Sequence, residues 1–571
     1  MHAYAQHVRD MNVSPDDVRR RYLRYAEQQQ VLQQLAARHP DLVRLQRIGS
    51  SALGRPLYVV VVGRDPDRPR PALWIDANMH AGEFVGTNVA LAFVLDLLAL
   101  QEGDDRHGLS AAVAAAAKDA LVVVAPSLSP DGAEAVHEAG RFVRSSPVDT
   151  RQTALPRWRQ VDVDGDGQIR RMRVLDPCGG FVESKTIPGL MLPRDIDDDG
   201  PFYALYPEGV IDDWDGNAVP PWGFYDDNPL DLNRNFSWGW QPEPLQYGAG
   251  DYVGSSPEAR ALMAFATATP HLYFWVNLHT YGGVWIRPLG DKSDDKLSGD
   301  DLALFRLVEE WTTAHARVPT VSGFHEFLYT PETPLRGDLV DYAFLQRGAY
   351  AWAVELWDLY ARAGLPRPRR FIDVYARQSR GQMELLARTL GHLGASPLRP
   401  WTKATHPQLG DVEIGGLDAR FSVWNPPEGP LVDELCRGHA AVFFRLLALL
   451  PRLHVTTRRE PLADGAHLLT ITVENRGGVS TAGPDVARGL PHNEPVHVVI
   501  DDASRVKDGA RRTLGHLGGT HAGRHGGVGT WPYQSSQALP SRRTCRFVVF
   551  GDGPVTIRVG SQRTGHVSIT G

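Results

Sequence analysis

Two kinds of apolar pattern alternate along the first 395 residues. Unbroken apolar runs occur at Leu57-Tyr58-Val59-Val60-Val61-Val62, Ala72-Leu73-Trp74-Ile75, Leu121-Val122-Val123-Val124 and Tyr350-Ala351-Trp352-Ala353-Val354. Another spans Tyr273-Phe274-Trp275-Val276-Asn277-Leu278, broken only by the Asn. Such runs suit strands covered on both faces of a sheet. Between them lie segments with helical spacing of apolar residues. In residues 85–100 the apolar positions include Val89, Leu91, Phe93, Val94, Leu97 and Leu98. Further helices are predicted over 111–119, 256–268, 300–316, 338–347 and 371–390. At the N-terminus, Ser14-Pro15-Asp16-Asp17 is a helix-start signal, and a helix is expected to run from it to about Arg38. Strands alternating with helices predict an α/β layered domain.

The pattern breaks between about 145 and 230. This stretch is rich in Asp, Gly and Pro and has little periodicity, so it reads as an insertion without helices or strands, close to the functional site. Residues 396–450 read as a Pro- and Gly-rich connecting segment with one helix over 431–449. Beyond Pro451 come short apolar strands, among them 467–473, 496–500, 546–550 and 555–559, which predict a small β-sandwich over 451–571. The expected organisation is thus a catalytic-type domain over 1–395 that contains the insertion, then the connector, then the β-domain.

Composition narrows the function classes. The 571 residues carry a net charge of −7, which advertises no nucleic-acid-binding surface. No membrane-spanning apolar run and no signal peptide are read from the sequence, so a cytoplasmic location is expected. Cys178, Cys436 and Cys545 form no CxxC pair and support neither a disulfide framework nor a Cys-type zinc site.

Chemistry concentrates at strand ends. His80 and Glu83 follow the run ending at Ile75, and His279 follows the run ending at Leu278. Two histidines and a carboxylate can hold one zinc ion and leave a coordination position open. Taken alone, the His-x-x-Glu pair reads equally well as a solvated surface pair. Its position, like that of His279, favours a ligand site, because α/β sheets place such sites at strand ends. Glu355 ends the run Ala351-Trp352-Ala353-Val354, where a carboxylate serves no packing purpose and can act as a base. Asp231-Leu232-Asn233-Arg234-Asn235 offers a guanidinium suited to bidentate capture of a carboxylate.

In this order, the elements resemble the zinc carboxypeptidases of the carboxypeptidase A type, peptidase family M14. Further matches are Gly49-Ser50-Ser51-Ala52-Leu53-Gly54-Arg55-Pro56-Leu57, the Pro130-Asp131-Gly132 turn, His279-Thr280-Tyr281 and Arg287-Pro288-Leu289-Gly290. The resemblance covers roughly residues 15–395. It implies a three-layer α/β/α fold with a mixed central sheet. It also implies one Zn2+ held by His80, Glu83 and His279, and Glu355 as general base and proton shuttle. Arg141-Phe142-Val143-Arg144 resembles the family's Arg-x-x-Arg, so Arg144 would polarise the scissile carbonyl and Arg141 would contact substrate. Asn233 and Arg234 would grip the terminal carboxylate, and Tyr329 is the candidate for the family's mobile tyrosine. The implied activity is hydrolysis of the C-terminal peptide bond. The substrate would be a peptide or amide with a free carboxylate. Two alternatives stay open: another amide, such as an N-acyl amino acid or a cell-wall peptide, or an inactive binding protein with the same fold.

The sequence also departs from the family. Members often carry an Arg just before the metal-binding Glu, where this chain has Gly82. Fifteen residues before Glu355 stands Val340, which with Gly290 hints at an apolar terminal residue, while Asp338 and Asp341 nearby point to a basic one. The runs Asp162-Val163-Asp164-Gly165-Asp166-Gly167 and Asp195-Ile196-Asp197-Asp198-Asp199-Gly200 resemble the first half of a Ca2+ loop. Arg173 and Tyr206 stand at the twelfth positions, where a closing Glu would be required, which favours solvated turns. The Gly- and His-rich stretch around His516, His521 and His525 reads as a loop.

Overall fold

A computed structural model describes residues 13–149, 156–223, 230–328, 333–376, 378–520 and 540–571. Two helices, α1 (Pro15–Arg20) and α2 (Tyr25–Arg38), stand where the sequence predicts one. Ser14 caps α1 by accepting from the Asp17 N–H, and Arg21 ends it in extended backbone. The sheet strands β1 (Val43–Ser50), β2 (Pro56–Val62), β3 (Ala72–Ala77) and β4 (Leu121–Ala125) follow. Helices α3 (Val85–Glu102) and α4 (Ala111–Asp119) lie between the last two of these strands. The Pro-Asp-Gly turn is the first turn of α5 (Pro130–Ala139).

The insertion is not structureless. It carries β5 (Arg157–Gln160), β6 (Arg171–Leu175), β7 (Phe181–Glu183), β8 (Met191–Pro193), β9 (Phe202–Pro207) and β10 (Gly209–Asp212). After α6 (Pro257–Ala268) come β11 (Leu272–His279) and β12 (Val284–Arg287), then α7 (Gly299–Trp311), β13 (Thr320–Ser322) and β14 (Tyr350–Glu355). The expected long helix over 371–390 is divided: one short turn covers Asp373–Ala376, and α8 runs over Arg380–His392. The hairpin β15 (Leu398–His406) and β16 (Gly410–Leu417) and the helix α9 (Pro430–Leu449) complete this part.

Eight strands form the central sheet in the order β1-β2-β4-β3-β11-β14-β12-β13. The β3/β4, β3/β11, β11/β14 and β12/β13 pairs are parallel, and the others antiparallel, so the sheet is mixed. Every residue of β3, β4 and β11 is buried. Successive side chains face opposite sides of a strand, so both faces of the sheet are covered, as the α/β/α expectation requires. Helix α3 is long and apolar enough to cross a membrane, but 83% of its apolar window is buried inside this fold.

Strands β6 to β9 join β15 and β16 in a second sheet of order β15-β16-β6-β9-β7-β8, while β5 pairs with β10. Residues 398–417 therefore belong structurally with the insertion rather than with a plain connector. These strands are short and half exposed, and Asp- and Gly-rich turns separate them, so they leave little periodic signal.

Beyond Pro451, β17 (Leu453–Pro461), β18 (Ala466–Asn475), β19 (Val496–Ile500), β20 (Arg511–Gly515), β21 (Arg542–Phe550), β22 (Thr556–Ser561) and β23 (Gly565–Thr570) form two sheets, β17-β18-β21 and β20-β19-β22-β23. Leu469, Ile471, Val498, Phe547 and Ile557 lie in the core between them. This unit docks at the start of β11, away from His279. Arg563 is buried there, with its guanidinium 4.5 Å from the Tyr273 ring centre, and it donates to the Leu272 carbonyl oxygen at 3.2 Å. The Tyr273 hydroxyl donates to the Thr481 carbonyl oxygen at 2.7 Å.

His439 on α9 makes an acid-stability prediction. It is fully buried, its ring lies parallel to Trp285 at 5.9 Å, and neither ring nitrogen has a hydrogen-bond partner among the described residues. Burial pushes its pKa from 6.5 down to about 3. The unfolded chain thus binds a proton that the folded chain refuses. The stability held above pH 6.5 is lost as the pH falls from 6.5 towards 3, by at most about 1.4 kcal/mol per pH unit. His439→Phe keeps the stacked ring and is expected to flatten this limb in urea titrations between pH 7 and 4. An unchanged limb would refute the assignment.

Candidate metal centre and cleft

The metal-binding turn is built by its own backbone chemistry. Just after β3, Asn78 takes a left-handed φ of 54°, which Asn tolerates better than most residues. Its amide donates to the carbonyl oxygens of His80 and Ala81, both at 3.1 Å, and its Oδ1 accepts from the Ser127 hydroxyl at 3.0 Å. His80 and Glu83 therefore lie on a tight turn ahead of α3. Parallel pairing does the rest: β11 and β14 set His279 opposite Glu355, and β3 and β11 set Asp76 opposite Asn277. The candidate residues thus collect at the C-terminal ends of β3, β11 and β14.

His80 Nδ1 lies 2.8 Å from Glu83 Oε1, His279 Nδ1 lies 3.0 Å from Glu83 Oε2, and the two Nδ1 atoms are 3.1 Å apart. Outer partners fix the opposite ring nitrogens. His80 Nε2 is 3.1 Å from Asp231 Oδ1, and His279 Nε2 bonds the Asn277 side-chain oxygen. Acceptors on both Nε2 atoms leave the two Nδ1 lone pairs facing Glu83. Ligand atoms of the three residues all lie within 4.8 Å of one another. Two imidazole nitrogens and a carboxylate converging in this way fit zinc. Asn277 is itself held by Asp76, which also accepts from the indole N–H groups of Trp74 and Trp275, each at 2.6 Å. Burial pushes Asp76 up to about 6 against the pull of these three donors.

The two acids of the centre diverge in charge. Burial works to raise Glu83, yet His80 and His279 hold its carboxyl well below the usual range. Burial, and then the charge of Glu83, push Glu355 well above it. Arg144 donates through Nε to Asp231 Oδ2 at 2.9 Å and lies 3.7 Å from Glu83 through Nη1. Asp231 also accepts from the Asn233 backbone N–H at 2.8 Å, so one carboxylate orders His80, Arg144 and the Leu232–Arg234 turn. Arg234 is buried and donates to the Asn233 carbonyl oxygen at 2.6 Å, while Asn233 Oδ1 accepts from the Leu339 N–H at 2.8 Å.

His80, Glu83, His279, Glu355, Arg144, Asn233 and Arg234 all line one cavity of about 550 Å³. Arg141 is not among the lining residues, although Phe142 and Val143 are. Tyr329 lies outside the described residues. The carboxylates of Asp162, Asp164 and Asp166 are exposed and accept N–H groups of their own loop, and Arg170 pairs with Asp166. In the second run Asp198 pairs with Arg380. The three carboxylates of the first run lie within 4.8 Å of one another, but their exposure and their bonds within the loop leave the calcium possibility unsupported.

Sequence reasoning missed Asp231, Asp76, Asn277, Trp424 and Asn425. Of these, only Asp231 left a signal, its place in the Asp-Leu-Asn-Arg run. At Gly82, where an Arg was noted as missing, a Cβ would meet the Trp424 indole at 3.0 Å. The Trp424 carbonyl oxygen accepts from the Thr280 hydroxyl at 2.6 Å. Asn425 is fully buried; its Nδ2 donates to the Gly82 carbonyl oxygen at 2.8 Å and its Oδ1 accepts from the Val85 N–H at 3.0 Å. Asn425 therefore brackets Glu83 from both sides. Asn425→Ala would take a partner from three buried backbone groups, the Gly82 and Arg420 carbonyls and the Val85 N–H, at about 1–3 kcal/mol each, and is expected to lower both the urea midpoint and zinc affinity. Unchanged values for both would rule out the bracket.

A sequence profile for the family described as zinc carboxypeptidase, peptidase M14, matches residues 28–167 and 225–380, together more than half of the chain. A second profile, for a domain of unknown function, matches residues 453–571. Carboxypeptidase B2 of Bos taurus is 40% identical over 60 residues, which is 10% of this chain and 14% of that protein. Carboxypeptidase A1 of Sus scrofa is 30% identical over 112 residues, 20% of this chain and 25% of that protein. The chain thus matches a quarter or less of the length of these relatives. Among solved structures, bovine thrombin-activatable fibrinolysis inhibitor in complex with tick carboxypeptidase inhibitor aligns with a TM-score of 0.37 at 18% identity, over 65% of this chain and 98% of that one.

Proposed function

This chain belongs to the zinc carboxypeptidase family, peptidase M14, and on that premise we propose that it removes the C-terminal residue from peptides whose terminal carboxylate is free. The observation that carries the reading is the pairing of His279 with Glu355 across β11 and β14, which sets a half-buried carboxylate beside three converging ligands.

Zinc held by His80, Glu83 and His279 supplies a Lewis acid that polarises a carbonyl and makes water more acidic. The chain's own residues do the remaining work. The planar guanidinium of Arg234 binds the substrate's terminal carboxylate, with Asn233 beside it. This fixes the scissile bond near Glu355 and Arg144. Glu355 takes a proton from the attacking water and returns it to the leaving amine. Arg144, oriented through Nε by Asp231, donates to the carbonyl oxygen as negative charge develops there.

A panel of peptides with free or amidated C-termini tests the reading. Amidation is expected to lower kcat/KM by about 10²-fold or more, since the buried Arg234 would lose its charge partner. Equal turnover of both forms would reject carboxypeptidase action and favour another amide substrate.

A further inference from the structure

We propose that a second cavity, between the chain that leaves β14 and one face of α9, binds a small amphipathic carboxylate: Arg317 and Arg362 receive its anionic head, and His439 pairs with a hydroxyl on its apolar body. The site is separate from the metal-centred cleft, and its test does not depend on turnover.

The cavity holds about 630 Å³. Small-molecule sites are mostly apolar spaces of about 300–1,000 Å³ that carry a few placed polar groups. Three segments wall this one: the turn after α7, the stretch that follows Glu355 as far as Arg362, and α9. Val318, Leu356, Trp357 and Leu435 are buried and supply its apolar lining. Gly438 lets α9 approach the turn closely, since a Cβ there would meet the His315 carbonyl oxygen at 2.9 Å. Among the described residues, none lines both this cavity and the cleft.

The rim of the cavity carries a surplus of positive charge. Glu434 Oε1 lies 2.8 Å from Arg362 Nη2 and 3.6 Å from Arg317 Nη1, so one carboxylate oxygen serves two guanidiniums. The other charged lining groups are matched: Arg437 with Asp433 at 2.9 Å, and Asp358 with Arg367 at 2.8 Å. Burial, and then Arg445, push the His315 pKa down, so that ring adds no charge near neutral pH. A second carboxylate at Arg317 and Arg362 balances the surplus, and planar guanidiniums bind it through paired N–H donors. The Arg317 side chain is 81% exposed and that of Arg362 33%, so the ionic attraction alone is weak and an apolar body must add to it.

The second, independent observation is an orphaned imidazole. His439 lines the cavity and is fully buried, and neither ring nitrogen has a hydrogen-bond partner among the described residues. Burial keeps this ring neutral near pH 7, so it offers one N–H donor and one lone pair. A buried polar group left unpaired is costly, and most such groups in folded proteins find a partner. Stacking on Trp285 fixes the plane of the ring, so its two nitrogens are held in place for a ligand rather than free to swing towards solvent. A ligand hydroxyl satisfies either nitrogen, because it can donate or accept. Guanidiniums at the rim, an apolar wall and a neutral imidazole together select a carboxylic acid whose apolar or aromatic body carries a hydroxyl.

The test is calorimetry at neutral pH on the full-length, zinc-loaded protein, with para-hydroxyphenylpropionate as the probe and its neutral primary amide as the control. The acid is expected to bind saturably and the amide about tenfold more weakly. Arg362→Gln and His439→Phe, the second of which keeps the stacked ring, should each weaken the acid about three- to tenfold. Ala441→Phe should weaken it at least as much by filling part of the cavity without touching a charge. Arg234→Gln, in the cleft, should leave it unchanged. No saturable binding, equal binding of acid and amide, or wild-type affinity in Arg362→Gln or His439→Phe overturns the site. Loss of binding in Arg234→Gln in place of Arg362→Gln assigns the probe to the cleft and overturns it as well. Urea midpoints separate a lost contact from a lost fold. If Arg362→Gln or His439→Phe does not fold, Ala441→Phe decides: weakened binding upholds the site, and retained binding overturns it.

Discussion

Glu355→Gln is expected to reduce kcat by about 10²–10⁴-fold with little change in bound zinc. The substitution keeps the shape of the side chain and removes only its capacity to accept and return a proton. Glu355 closes β14 opposite His279 in a parallel register, so its backbone position is fixed by the sheet rather than by a loop. It is not one of the three ligands whose donor atoms converge, so zinc content should survive. The measurement is steady-state kinetics on a free-carboxylate peptide together with elemental analysis of the same sample. Full activity with full zinc content would remove Glu355 from the reaction and assign the base to another group.

Asp231→Asn is expected to weaken zinc binding about 10–100-fold and to lower kcat/KM further still. Two separate losses combine. The ionised Asp231 holds the Nε2 side of His80, which keeps Nδ1 available as a lone pair, and it holds Arg144 through Nε. Burial opposes the charge on Asp231, but Arg144, His80 and Arg234 keep its carboxyl well below the usual range. A neutral amide can satisfy one of these partners but not both as an anion does. Chelator competition reads the first loss and kinetics at saturating zinc reads the second. Wild-type zinc affinity would contradict the role of Asp231 in orienting His80.

How legible these residues were depended on distance along the chain. His80 and Glu83 share a four-residue motif, and His279 and Glu355 each end an apolar run, so strand recognition and ligand chemistry together singled them out. Asp231 stood in plain sight beside Asn233 and Arg234, but an acid followed by an amide and an arginine reads first as a turn. Asp76 and Asn277 gave no hint of their pairing, because adjacency of β3 and β11 is set by sheet order. The Trp424-Asn425 contact arises between segments with no shared pattern. The central sheet was readable because its strands are buried on both faces and so stay apolar throughout. The strands of the insertion are three to six residues long and half exposed, and neither helix nor strand periodicity can emerge over such lengths. The single helix expected before residue 38 failed at Arg21, where the backbone becomes extended and the Val18 and Arg21 carbonyl oxygens accept from the Asn88 side-chain amide.

The Asn425 bracket has a consequence for the order of events during synthesis. By residue 279 a growing chain has all three ligands, and by residue 355 it has the proposed base. The residue that secures the Gly82 carbonyl arrives 343 positions after it. Closing so long a loop is slow compared with forming the local turn at Asn78. Until then the Glu83 turn lacks its Asn425 contacts, and the wall formed by Trp424 is missing. Nascent chains are thus unable to assemble the finished cleft until the segment carrying Trp424 and Asn425 has emerged.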